Sequence, residues 1–170
     1  MCLLDENEAF FNLVQYHGYP TSLLDWTSSP FVAAFFVYHR LKNTEAVLAD
    51  AEDKVRILQF DQKVWRARFP QIHHLTWVKP HFSILEFVAI DNQRMILQQS
   101  VSSVTNIHDI ETYIRLLEPP EEQYLKILDL LVKERPIVMK ELSVMGITAG
   151  SLFPGLDGTC KELRERFFEL

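Results

Sequence analysis

The stretch Leu13-Val-Gln-Tyr-His-Gly-Tyr-Pro-Thr-Ser-Leu-Leu-Asp-Trp-Thr-Ser-Ser-Pro-Phe-Val-Ala-Ala-Phe-Phe-Val37 constrains the fold more than any other part of the chain. It sets a polar turn directly before a helix that is apolar nearly all round. Gly18 can end a preceding helix by adopting positive φ, and Pro20 fixes φ and lacks an N–H, so the chain must turn there. Pro30 suits the first turn of a helix, where its missing N–H costs nothing, and Thr27, Ser28 or Ser29 can cap that helix through a hydroxyl. A helix over 30–41 with no polar face belongs in a core. The polar turn before it is therefore held against a buried element, which is how a site is built.

The rest of the chain can supply that core. At 170 residues and 48% hydrophobic, with twelve Phe, five Tyr and three Trp, the length and composition suit one globular domain over 1–170 and exclude a disordered chain. A net charge of −6 gives no global positive field, which argues against general nucleic-acid binding. Cys2 and Cys160 have no second pair, so reduced thiols and a cytoplasmic location are expected rather than a disulfide framework. The apolar run 31–38 is far shorter than the roughly 20 residues a membrane span needs. Asp5, Glu6 and Glu8 stand where an export signal would carry basic and apolar residues.

Periodicity predicts a helix over 6–16, a strand over 54–60, a short helix over 62–69 and a strand over 75–78. One or two short strands are expected over 92–104 and a short element over 107–114. Tyr124, Ile127, Leu128, Leu131 and Val132 predict an amphipathic helix over 121–135 that stops at Pro136. Further helices follow over 138–145, ended by Gly146, and over 158–170. The class is α+β, a small mixed or antiparallel sheet with helices around it.

Three motifs carry a family resemblance. Gln15-Tyr-His-Gly-Tyr-Pro-Thr-Ser-Leu-Leu-Asp-Trp-Thr-Ser-Ser-Pro, then Arg94 with Gln98-Gln99, then Gly146-Ile-Thr-Ala-Gly-Ser-Leu-Phe-Pro-Gly-Leu-Asp-Gly158 follow one another in an order that resembles the FRG domain. The family is named for a Phe-Arg-Gly strand ahead of the first motif. No Phe-Arg-Gly occurs in these 170 residues, so the domain is expected to be incomplete at its N-terminus. Ser22 stands where the family often has Arg, and Ser100 where Gly commonly follows the glutamine pair. The motif order is also similar to the plan of ADP-ribosyltransferases, which hold nicotinamide adenine dinucleotide (NAD) between three such strands. The resemblance implies an NAD-like nucleotide ligand, a context in bacterial and phage conflict, and ADP-ribosyltransferase-related chemistry.

Candidate roles follow, each beside a plainer one. His17 could act as a general acid or base, or could hydrogen-bond the turn backbone. Asp25 could orient His17 or bind a ribose hydroxyl, or could cap a turn. Trp26 could stack on a base, or could anchor the core. Thr27 and Ser28 could receive a phosphate at a helix N-terminus, or could cap that helix. Gln98 could position a substrate without titrating. Gln15, Thr21, Arg94 and Gln99 would complete the ligand contacts. His73, His74 and His81 have no ligand partners at a recognised spacing, so no metal is expected. The alternative is a noncatalytic module in which the turn is architectural and a protein chain pairs with an exposed sheet edge.

Overall fold

The computed structural model describes residue 15 and residues 19–72, 77–85 and 92–168. The expected helix over 6–16, apart from Gln15, lies outside the described residues, as do His17, His73 and His74. In chain order the elements are β1 (Leu23–Thr27), α1 (Pro30–His39), α2 (Asn43–Leu48), β2 (Lys54–Phe60), α3 (Gln62–Arg68), β3 (Phe82–Leu85), α4 (Gln93–Leu97), β4 (Ser100–Thr105), α5 (Ile110–Leu116), β5 (Leu125–Leu131), a 3-10 turn (Val132–Glu134), α6 (Arg135–Val144), α7 (Ala149–Leu152) and α8 (Leu156–Phe168). The class is α+β, with two small antiparallel sheets among the described residues, one ordered β1-β4-β3 and one made of β2 and β5.

Two compact units are present, one formed by residues 1–26, 59–92 and 101–126 and the other by 27–58, 93–100 and 127–170. The first holds the three-stranded sheet, in which Phe82 pairs with Thr105 and Leu85 with Ser102. Its interior is aromatic. Trp65, 1% exposed, meets Phe60, Phe82, Tyr113 and Tyr124 edge-on, with ring centroids 5.6–6.5 Å apart, and lies 4.2 Å from Phe69. Such pairs add to burial because the ring edge is electropositive and the face electronegative. The Trp65 indole N–H is also satisfied, donating to the Phe82 carbonyl at 3.0 Å.

The second unit packs helices around Val32, Phe35, Leu142, Ala149 and Leu152. Ser29 caps α1 by accepting from the Val32 N–H, with Pro30 in the first turn as expected. The run 31–38 is less deeply buried than its composition suggests: Val32, Phe35 and Tyr38 are inside, and Phe31 is 51% exposed. At the far end Arg135, 5% exposed, donates to the carbonyls of Tyr38 and Leu41 and to Asn43. It closes the C-terminus of α1, where carbonyls lack helical partners. Gly146, at φ 78, ends α6 in the left-handed turn that glycine adopts freely; Gly146 N–H reaches the Ser143 carbonyl and Ile147 N–H the Leu142 carbonyl.

Several expectations are corrected. Residues 125–131 form β5, not part of a helix over 121–135. Pro136 sits in the first turn of α6 instead of ending a helix before it. Residues 93–97 are helical, and a strand begins only at Ser100. Trp77 and Val78 belong to no strand. Among the described residues no helix is long and apolar enough to cross a membrane.

Candidate functional site

In the first unit β1 presents Asp25 within a polar chain. The Thr21 hydroxyl donates to Gln15 Oε1, Gln15 Nε2 donates to Asp25 Oδ2 at 2.8 Å, and Ser102 Oγ donates to Asp25 Oδ1 at 3.4 Å. Thr21 Oγ1 also accepts the Leu23 N–H, fixing the turn into β1. The side chains converge because β1 lies beside β4, which brings Asp25 next to the fully buried Ser102. One side of Asp25 faces solvent while protein crowds the other. Burial raises the Asp25 pKa above its ordinary value, and the bonds from Ser102 and Gln15 offset part of that rise.

The next residue plays a different part. Trp26 donates its indole N–H to Ser103 Oγ at 2.9 Å and lays its ring against Phe60 and Phe82, at 5.7 and 6.1 Å between centroids. Ser102 and Ser103 carried no assigned role in the sequence. Both are fully buried in β4 and bind the two motif residues Asp25 and Trp26. The available signal was their setting: adjacent serines between Val101 and Val104 in a strand need partners if buried.

The remaining candidates lie in the second unit, and their polar atoms are largely engaged. Thr27 Oγ1 donates to the Gln98 carbonyl at 2.7 Å and accepts the Ser29 N–H at 3.1 Å. Ser28 sends both its N–H and its hydroxyl to the Gln99 carbonyl, at 3.0 and 3.2 Å. Gln98 is buried, and its Nε2 donates to the Leu152 carbonyl at 3.0 Å at the end of α7. Gln99 has φ 48, a left-handed conformation that carries the chain from α4 into β4. The Arg94 guanidinium stands over the Phe153 ring, 5.9 Å from its centroid. Thr27, Ser28 and Gln98 therefore tie the first two motifs together and reach the third by way of Leu152.

Neither of two surface hollows includes a candidate residue. One, about 200 Å³, is lined by Gln59, Phe60, Asp61, Lys63, Tyr124 and Lys126 among others; the other, about 700 Å³, opens along α6. Among the described residues no group of three or more His, Cys, Asp or Glu could hold a metal ion. Chemically, the Asp25 cluster offers a carboxylate that can accept further hydrogen bonds at solvent-facing lone pairs, flanked by an amide and a hydroxyl.

No curated protein and no solved structure matches the chain. The family model of the FRG domain matches residues 4–46, which include Gln15, Asp25 and the whole of β1 and α1. Over those residues the chain is similar to the FRG domain, the family that its motifs resemble.

Proposed function

We propose that this FRG-domain protein binds a nucleotide-like ligand of the NAD class at the Asp25 cluster. A ribose diol would donate to the Asp25 carboxylate, and Gln15 and Thr21 would hold that carboxylate in place. The observation that carries the reading is the state of Asp25: it is reachable by solvent, is gripped by Gln15 and Ser102, and has its pKa raised by burial. Perturbed titratable groups with such fixed partners concentrate at functional sites. Participation in bacterial or phage conflict, and ADP-ribosyl chemistry at this ligand, belong to the same reading.

Isothermal titration of NAD, ADP-ribose and nicotinamide tests it. Binding of ADP-ribose that weakens at least about tenfold in D25N supports a ribose contact worth a charged hydrogen bond. Absence of binding by all three at millimolar concentration refutes the reading.

A second reading is favoured by the engagement of Thr27, Ser28 and Gln98 in internal bonds. On it the motif is architectural, and the chain is a noncatalytic module that pairs through the outer edge of β2 or β5, which bond only to one another among the described strands. Capture of a partner that protects β2 or β5 amides from hydrogen exchange, with no response to nucleotides, would establish it.

A further inference from the structure

The polar chain at Asp25 fixes the direction of each hydrogen bond in it. The Leu23 N–H donates to Thr21 Oγ1 at 3.3 Å, so the Thr21 hydroxyl proton is free to turn to Gln15 Oε1. The Gln15 carboxamide therefore presents Nε2 to Asp25, 2.8 Å from Oδ2, as a carboxylate that can only accept requires. Ser102, fully buried in β4, reaches Oδ1 at 3.4 Å and donates there for the same reason. All four residues belong to the first unit.

What these bonds leave over has a definite pattern. A carboxylate has about four lone-pair sites, two on each oxygen. Gln15 fills one on Oδ2 and Ser102 one on Oδ1, so each oxygen keeps one acceptor for a ligand. Gln15 Nε2 keeps a second N–H beside Oδ2. Two hydroxyls on adjacent carbons complement this arrangement: each sends its proton to its own oxygen, and one also accepts from Gln15. Among the described residues no basic side chain contributes to the shift at Asp25, which has burial and the bonds from Ser102 and Gln15 as its causes. A phosphate on either hydroxyl would remove a proton that Asp25 accepts and set negative charge against a carboxylate with no neutralising cation. In dinucleotide sites an acidic residue holds a free ribose hydroxyl, whereas an arginine accommodates a 2′-phosphate.

We infer that the Asp25 cluster selects a ribose by its free vicinal cis-diol, and refuses a ribose that is 2′-deoxygenated or phosphorylated at the 2′ hydroxyl. This selectivity rests on the nucleotide reading given above and adds to it which sugars the site turns away. Both hydroxyls are needed because the two open acceptors sit on separate oxygens, and a single hydroxyl leaves one of them unfilled once the ligand displaces water.

Isothermal titration of the full chain with ADP-ribose and its two singly 2′-deoxygenated forms, one altered in each ribose, tests it. ADP-ribose should bind. One deoxy form should bind at least about tenfold more weakly, having lost a hydrogen bond to a charged group, and the other should stay within about threefold. A phosphate on the hydroxyl so identified should weaken binding at least about a hundredfold, since it adds repulsion to that loss. In D25N the phosphate penalty should shrink below about tenfold, because the opposing charge is gone. The comparisons among ligands use the parent protein, so they decide the matter even if D25N disturbs folding. Both deoxy forms binding within about threefold of ADP-ribose, or the phosphorylated form doing so, overturns the selectivity and leaves the nucleotide reading standing. Failure of ADP-ribose itself to bind overturns both.

Discussion

Asp25 and Thr27 stand two residues apart in one motif, yet they belong to different compact units and behave differently. Asp25 keeps a solvent-facing carboxyl whose partners grip it without closing it off. Thr27 uses its hydroxyl as donor to Gln98 and as acceptor from Ser29, and Ser28 gives both its donors to Gln99. A run of polar residues before a helix is thus two things: the supports of a turn, and one acid that the supports leave available. Only an account of where each donor and acceptor goes separates them.

The two units also differ in how they are held, and substitutions can break that contrast. The largest effect is expected at the aromatic centre of the first unit, where W65A should cost about 4 kcal/mol in chemical denaturation through lost burial and a cavity among five rings. In the second unit the corresponding point is polar. R135M should cost about 2–3 kcal/mol, because the Leu41 carbonyl loses the Arg135 donor and the Tyr38 carbonyl keeps only backbone donors such as the Leu41 N–H. Hydrogen exchange on both variants sharpens the comparison: amides of β3 and β4 should open first in W65A, and those of α1 and α6 first in R135M. T27A comes next, at about 1 kcal/mol, with ligand affinity unchanged.

The smallest stability effect is expected at the proposed site itself. The folded-state pKa of Asp25 is raised, so the protonated form is the one that folding favours. Its contribution is present below the ordinary aspartate range and is lost as pH rises through the raised value. D25N should therefore be slightly more stable than the parent at neutral pH, by less than about 0.5 kcal/mol since the carboxyl is exposed and screened, and the difference should vanish in acid. A D25N protein clearly less stable at pH 7 would make Asp25 a support like Thr27.

Much of the fold was legible where local signals agree. Pro30 and the hydroxyls before it mark the start of α1, alternation in Lys-Val-Arg-Ile-Leu-Gln-Phe marks β2, and Gly146 marks the end of α6. The failures share a cause. Leu125-Lys-Ile-Leu-Asp-Leu-Leu has apolar residues at both helical and strand spacing, and pairing with β2 decides between them. Met95, Ile96 and Leu97 fit a strand as well as a helix, and the left-handed turn at Gln99 that separates α4 from β4 leaves no glycine as a sign. The strand β3 is buried along its whole length and shows no alternation. The motif residues were legible as polar and close in sequence. The division between Asp25 and its neighbours depends on bonds to Ser102, Gln98 and Gln99, more than seventy residues away.

The most direct test is a titration of ADP-ribose into the parent, D25N and S28A proteins under one buffer. The account predicts that D25N weakens binding at least about tenfold while S28A leaves it within about twofold, since one loses a ligand contact and the other an internal bond. Binding that survives in D25N, or that falls in S28A without loss of fold, would contradict it.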